Sequence, residues 1–205
     1  MPIGRRKIFW YRCIMFVNKS EQRNNLMDEG LKVEGKFTTV AKQIKQAIIL
    51  AGGLGTRLRE AVPDLPKAMA PVAGRPFLSF VIDALRMQGI EQFIFSLGYK
   101  AGIVKKYLEE HYPTLDYSIV VEEEPFGTGG AIQLACSKTH DVNVLVANGD
   151  TLFKIKLQEL ENFHIHHQAE CTIGLKPLEK FDRYGVVQIN QEGSVIAFKE
   201  KPVLR

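Results

Sequence analysis

Arg57 and Lys67 are the two residues around which chemistry can be built. Arg57 follows a glycine-rich turn, Gly52, Gly53, Gly55 and Thr56, and Lys67 stands ten residues later between Pro66 and Ala68. The glycines permit dihedrals that other residues resist. They also remove side chains, so that backbone N–H groups can approach phosphate oxygens. Arg57 offers a planar fork of donors suited to those oxygens, and Lys67 a compact positive charge. Polyphosphate binding is the chemistry these types and spacings suit.

Two familiar glycine motifs do not describe this turn. A P-loop needs Lys-Ser or Lys-Thr at a fixed spacing, and none follows here. The dinucleotide fingerprint needs a full helix after its glycines. Pro63 and Pro66 leave room for little more than a turn of helix.

A second candidate is Asp150, after the strand-like segment Val142 to Ala147 and an Asn-Gly turn. A carboxylate at a strand end is a hard oxygen ligand for Mg²⁺. A third is the segment Glu122 to Gly130, EEEPFGTGG. Its glycines let backbone groups meet a base or sugar edge, and its carboxylates can accept hydrogen bonds from guanine N1 and N2. The histidines His164, His166 and His167 read instead as the wet end of a helix. With Cys13, Cys136 and Cys171 they show no zinc-ligand spacing, and three widely spaced cysteines imply no disulfide framework.

These residues need elements to hold them. Ala47 to Leu50 is apolar throughout, as a parallel strand covered on both faces would be. Pro76 opens a helix in which Phe77, Val81, Ala84, Leu85 and the polar exception Gln88 recur at helical spacing, and Gly89 ends it. Strands are predicted at Gln92–Leu97, Tyr117–Val121, Val142–Ala147, Ala169–Leu175, Gly185–Ile189 and Val195–Phe198. Helices are predicted at Ala101–Glu110, Ala131–Ser137 and Leu157–His167. The alternation implies an α/β fold, a mainly parallel Rossmann-like sheet with helices on both faces. Ligands in such sheets bind beyond the carboxyl ends of the strands, and Gly52, Asp150 and the Glu122 loop all fall there.

Composition is that of an ordinary soluble globular chain, 45% hydrophobic and 24% charged. The net charge of +4 resides upstream: residues 1–45 hold ten Lys/Arg and four Asp/Glu, residues 46–205 seventeen and nineteen. The core therefore lacks a polyanion surface, which argues against nucleic acid. Ile8 to Val17 is rich in apolar and aromatic residues, but Arg12 interrupts it and ten residues are too short to span a bilayer. Residues 1–45 read as a basic, poorly ordered extension, dispensable for nucleotide binding.

The stretch GGLGTRLREAVPDLPKAMAPVAGRP resembles the signature of the sugar-1-phosphate nucleotidyltransferases, roughly GGxGTRLxPxTxxxPKPMxPVxxxP. It departs at Glu60 and Ala68, neither of which supplies a catalytic side chain. FSLGYKAGIVKKYLEE, VEEEPFGTGGAIQLA, LVANGDTLF and FDRYGVVQI are most similar to the heptose 1-phosphate guanylyltransferase branch. The resemblance runs from about Gln46 to the end and implies a GT-A-like domain over 46–205.

It further implies transfer of a nucleoside monophosphate, favoured GMP from GTP, to a sugar 1-phosphate, with release of pyrophosphate and Mg²⁺ as cofactor. Arg57, Lys67, Asp150 and Lys201 would be catalytic, Asp150 being the metal ligand. Leu50, Ala51, Gly52, Gly53, Gly55, Thr56, Arg57, Lys67, Gly127 and Thr128 would meet the nucleotide. Tyr184, Gly185, Glu200 and Lys201 would meet the sugar. The family continues past the Glu200-Lys201-Pro202 element and adds a second metal carboxylate, so 46–205 reads as a domain incomplete at its C-terminus and a poor catalyst. A cytoplasmic location, no membrane partner and a homo-oligomer are compatible with this reading. A UTP-, CTP- or dTTP-dependent hexose enzyme and a non-catalytic sugar-nucleotide sensor stay open as alternatives.

Overall fold

A computed structural model describes residues 8–9, 14–18, 44–53, 64–177 and 186–199. In chain order the strands are β1 (Ile8–Phe9), β2 (Ile14–Asn18), β3 (Gln46–Leu50), β4 (Pro71–Val72), β5 (Arg75–Pro76), β6 (Gln92–Leu97), β7 (Asp116–Val121), β8 (Asn143–Asn148), β9 (Cys171–Ile173), β10 (Lys176–Pro177), β11 (Val186–Ile189) and β12 (Val195–Lys199). The helices are α1 (Phe77–Arg86), α2 (Ala101–His111), α3 (Gly127–Cys136) and α4 (Leu157–His166).

β3 is apolar on both faces because both faces are covered. It pairs in parallel with β6 on one edge and β8 on the other, and β7 extends the sheet beyond β6. Side chains alternate across the pleat. Ala47, Ile49, Phe93, Phe95, Leu145 and Ala147 face one way, onto the buried residues of α1, α2 and α4. Ile48, Ile94, Val120, Val144 and Val146 face the other way, onto Ala135 and Cys136 of α3. Two-sided burial removes the alternating pattern of a half-exposed sheet and leaves continuous apolar runs.

The predicted elements are present, with informative shifts. α1 buries Leu78, Val81, Ile82 and Leu85, one stripe at helical spacing. Gln88 is polar for a reason: its side-chain oxygen accepts the Leu157 N–H at 2.9 Å, at the start of α4. α3 begins at Gly127, four residues before its predicted start. Its glycines lower helix propensity and masked the first turn. β10, β11 and β12 do not join the parallel sheet; they form a separate antiparallel sheet with β1, in the order β10-β1-β11-β12.

The largest correction concerns residues 1–45. Ile14–Asn18 is not a poorly ordered extension but the fifth strand of the main sheet, whose order is β7-β6-β3-β8-β2-β9. β2 runs antiparallel to both neighbours, with Phe16 1% exposed. Its Met15-Phe16-Val17 was legible as part of a short apolar run, but no pairing partner was visible in sequence.

His164 corrects another expectation. His166 and His167 are exposed, but His164 is buried. Its Nδ1 lies 2.9 Å from Thr172 Oγ1 and its Nε2 3.4 Å from Asn143 Oδ1. Its ring packs 5.7 Å from that of Phe16. Burial holds the imidazole below its ordinary pKa of 6.5. The unfolded chain therefore takes up the proton first, and stability present above about pH 6.5 is lost as the pH falls through that value. Thermal melts at about pH 7.5 and 5.5 should show a drop that is smaller in His164→Gln. Identical drops in both proteins would remove His164 as its source.

No helix among the described residues is long and apolar enough to cross a membrane.

Candidate active site

Four loops meet at the carboxyl edge of the parallel strands. β3 ends in Ala51-Gly52-Gly53, β6 in Gly98, β7 in Glu122 and β8 in Gly149-Asp150. Backbone bonds tie them together. Ala51 N–H donates to Ser96 O at 2.8 Å, Gly149 N–H to Leu50 O at 2.9 Å, and Glu122 N–H to Leu97 O at 2.9 Å.

The glycines are needed for close approach. A Cβ on Gly52 would stand 2.9 Å from Glu122 Oε1 and 3.2 Å from Gly98 N. A Cβ on Gly98 would stand 2.8 Å from the Gly52 carbonyl oxygen. The turn that starts the expected phosphate cradle is thus pressed against the loop after β6, with the Glu122 carboxylate over it. Gly149 is less confined but still tight: a Cβ there would stand 3.2 Å from the Ala51 side chain.

Glu122 is fixed rather than free. Its Oε1 accepts Ser96 Oγ at 3.3 Å and its Oε2 accepts the Phe126 N–H at 3.1 Å. These two bonds explain why a serine with 0% exposure sits in β6. They also hold the bend from which α3 departs. Gly127 there has φ +70°, and a Cβ on Gly130 would strike that of Phe126 at 2.5 Å. Gly127 and Thr128 are exposed in the first turn of α3, where backbone N–H groups have no partner inside the helix.

Lys67 enters on a single 3-10 turn, Lys67–Met69, whose Ala68 and Met69 are buried. The turn docks Lys67 across the end of β8, with its Nζ 2.6 Å from Asp150 Oδ2. Both side chains keep access to solvent, at 40% and 29% exposure. The other Asp150 oxygen, Oδ1, accepts Thr151 Oγ1 at 3.1 Å. Lys100, at the start of α2, supports the approach to this turn by donating to Asp64 O at 2.9 Å.

Of the residues selected from sequence, Leu50, Ala51, Gly52, Gly53, Lys67, Gly127, Thr128 and Asp150 lie at this edge or on the elements that leave it. Lys67 and Asp150 are in direct contact. Gly55, Thr56, Arg57, Tyr184, Gly185, Glu200 and Lys201 lie outside the described residues. Sequence reasoning missed Ser96 and Gly98, which tie the loops of the site to one another; the Leu97-Gly98 strand end was their one signal. The described residues include no group of three or more His, Cys, Asp or Glu side chains that could hold a metal ion. What fits Mg²⁺ is Asp150, a partly exposed carboxylate whose remaining ligands would be substrate oxygens and water.

Residues 46–205 match the nucleotidyl transferase family. The chain is 47% identical over 156 residues to a D-glycero-alpha-D-manno-heptose 1-phosphate guanylyltransferase of Aneurinibacillus thermoaerophilus, covering 76% of this chain and 67% of that one. It is 40% identical over 156 residues to the Campylobacter jejuni protein of the same name, covering 76% and 68%. Among solved structures it is similar to HddC from Yersinia pseudotuberculosis complexed with GMP-PN, with a TM-score of 0.61 and 31% identity, covering 77% of this chain and 70% of that one.

Proposed function

This chain belongs to the nucleotidyl transferase family, and on that premise we propose that it transfers GMP from GTP to D-glycero-D-manno-heptose 1-phosphate. An oxygen of the sugar phosphate attacks the α-phosphorus. The bond from that phosphorus to the bridging oxygen breaks, and pyrophosphate leaves with the bond's electrons. The products are the GDP-sugar and pyrophosphate. The attacking oxygen is already ionised, so positioning and charge neutralisation supply the catalysis.

The observation that carries this reading is the Lys67–Asp150 pair, a cation and a hard carboxylate 2.6 Å apart at one strand end, beside the glycine turn. Lys67 would stand against the triphosphate near the α position, and Asp150 would hold Mg²⁺. When bound, that ion neutralises phosphate charge and orients both substrates. Gly52 and Gly53 would present N–H groups to phosphate, with Arg57, Tyr184, Gly185, Glu200 and Lys201 contributing as the family resemblance implies.

Glu122 is suited to read guanine. A carboxylate has about four acceptor positions; Ser96 and Phe126 take two, and the rest can accept N1–H and the 2-amino group. A and U lack this pair of donors.

The test is pyrophosphate release across GTP, UTP, CTP and dTTP with heptose and hexose 1-phosphates. GTP with D-glycero-D-manno-heptose 1-phosphate is expected to give the highest kcat/KM. Glu122→Gln should lower kcat/KM for GTP by roughly 10–150-fold, the worth of hydrogen bonds to a charged group. A higher kcat/KM with UTP, CTP or dTTP in the unaltered protein sinks the guanylyl assignment.

A further inference from the structure

We propose that β2, which lies outside the family match, is a working part of the transfer site: it is the strand that positions β8 and, through β8, Asp150. The match begins at residue 46, whereas β2 is Ile14–Asn18. This inference rests on the role given to Asp150 above.

The topology creates a slot that something must fill. β8 and β9 are joined through α4 and run in the same direction, yet they are not neighbours. One strand width separates them, and β2 occupies it antiparallel to both. Every residue of β2 is registered on β8, from Ile14 opposite Ala147 to Asn18 opposite Asn143. Met15 to Val17 are registered on β9 as well, and Asn18 N–H donates to Glu170 O at 2.8 Å. Without β2, β8 would keep β3 alone and become an edge strand, prone to local opening.

Side-chain packing makes the strand hard to replace by water. Phe16 is among the largest fully buried side chains. It packs at a tilt against His164 of α4, which in turn bonds Thr172 of β9 and Asn143 of β8. One residue of β2 therefore joins the helix and both strands that flank the slot. Ala147 faces Ile14 at the far end of that pairing, and Asp150 lies three residues beyond. The 2.6 Å contact of Asp150 with Lys67 depends on where β8 ends, and β2 fixes one of its two edges. Phe16 is a positioning residue in this account; it touches no substrate.

Register supplies a direct test in the full chain. Because Asn18 donates to Glu170, the preceding pair, Val17 opposite Cys171, is the non-hydrogen-bonded kind, in which Cα atoms approach to about 4.5 Å. That suits a disulfide. Val17→Cys should cross-link to native Cys171 on mild oxidation, as one linked peptide that disappears with Cys171→Ser. Phe16→Asp and Phe16→Leu then test position. Hydrogen exchange is followed over 143–148, and GTP binding is measured with and without Mg²⁺.

Phe16→Asp should lose protection there, and its Mg²⁺-dependent gain in GTP affinity should fall about 10–100-fold, as when a metal ligand loses its support. Phe16→Leu should retain both. A general loss of stability alone would lower Mg²⁺-free binding equally, and that result counts against positioning. So does a Phe16→Asp protein with intact protection and Mg²⁺ response, or a reactive Cys171 that never links to position 17. If Phe16→Asp does not fold, the cross-link and its GTP affinity decide: the linked protein must bind Mg²⁺-GTP as the parent does. The cross-link and the exchange pattern do not depend on the nucleotide, so a wrong guanylyl assignment would leave them unchanged.

Discussion

Asp150→Asn and Lys67→Ala are each expected to cut turnover by about 10²–10³-fold, the usual cost of removing one well-aimed charge from a transition state. Folding should barely register either change. The pair is partly exposed on both sides, and such ion pairs contribute about 0–1 kcal/mol. For a chain of this size that is a Tm shift of about 2–4 °C or less. The two substitutions should separate in binding. Asp150→Asn removes the proposed metal ligand and should abolish the Mg²⁺-dependent part of GTP affinity. Lys67→Ala should weaken GTP with and without the ion. The exchange Lys67→Asp with Asp150→Lys discriminates further. It can restore an ion pair, but it puts a carboxylate at the phosphate and an ammonium at the metal position, so turnover should stay low. Full turnover in either single variant, or rescue by the charge exchange, would show that the pair is structural.

The residues proposed to meet phosphate stand out in the sequence, and the reason is local. A glycine turn after an apolar strand, a lysine after proline and an aspartate after a second strand are each recognisable within a few residues. Alternation of strand and helix then forces their loops to one sheet edge. What stayed hidden depends on contacts distant in sequence. Ser96 is an ordinary serine until Glu122, 26 residues on, is seen to accept its hydroxyl. His164 reads as a wet helix end until Phe16 covers it. β2 is the extreme case. Its five residues carry no turn signal linking them to β8, more than 120 positions away, and nothing local distinguishes them from a leader. Glycine misled in the opposite direction at α3. Gly127, Gly129 and Gly130 weaken helix propensity, yet the helix starts there, where Glu122 fixes the bend before it and where a Cβ at Gly130 would strike Phe126.

Gly98→Ala should lower turnover by about 10²-fold although Gly98 bears no reactive group, since a misplacement near 1 Å can cost that much. The added methyl would stand 2.8 Å from the Gly52 carbonyl oxygen, closer than such contacts allow. The obstacle is backbone, so a side chain cannot swing aside; one of the two loops must move. If the Gly52 loop yields, the phosphate cradle shifts relative to Lys67 and Asp150. If the Gly98 loop yields, Ser96 is displaced and the Glu122 carboxylate loses an anchor. Both routes injure nucleotide placement, and they are distinguishable. The first should weaken GTP, UTP and CTP alike. The second should weaken GTP selectively, as Glu122→Gln does. Gly53→Ala is the control, because a Cβ there meets nothing within 4 Å; any loss in that variant reports on phosphate approach and not on packing between loops. Wild-type turnover in Gly98→Ala, with an unchanged order of nucleotide preference, would mean that the Gly52–Gly98 approach is incidental to catalysis.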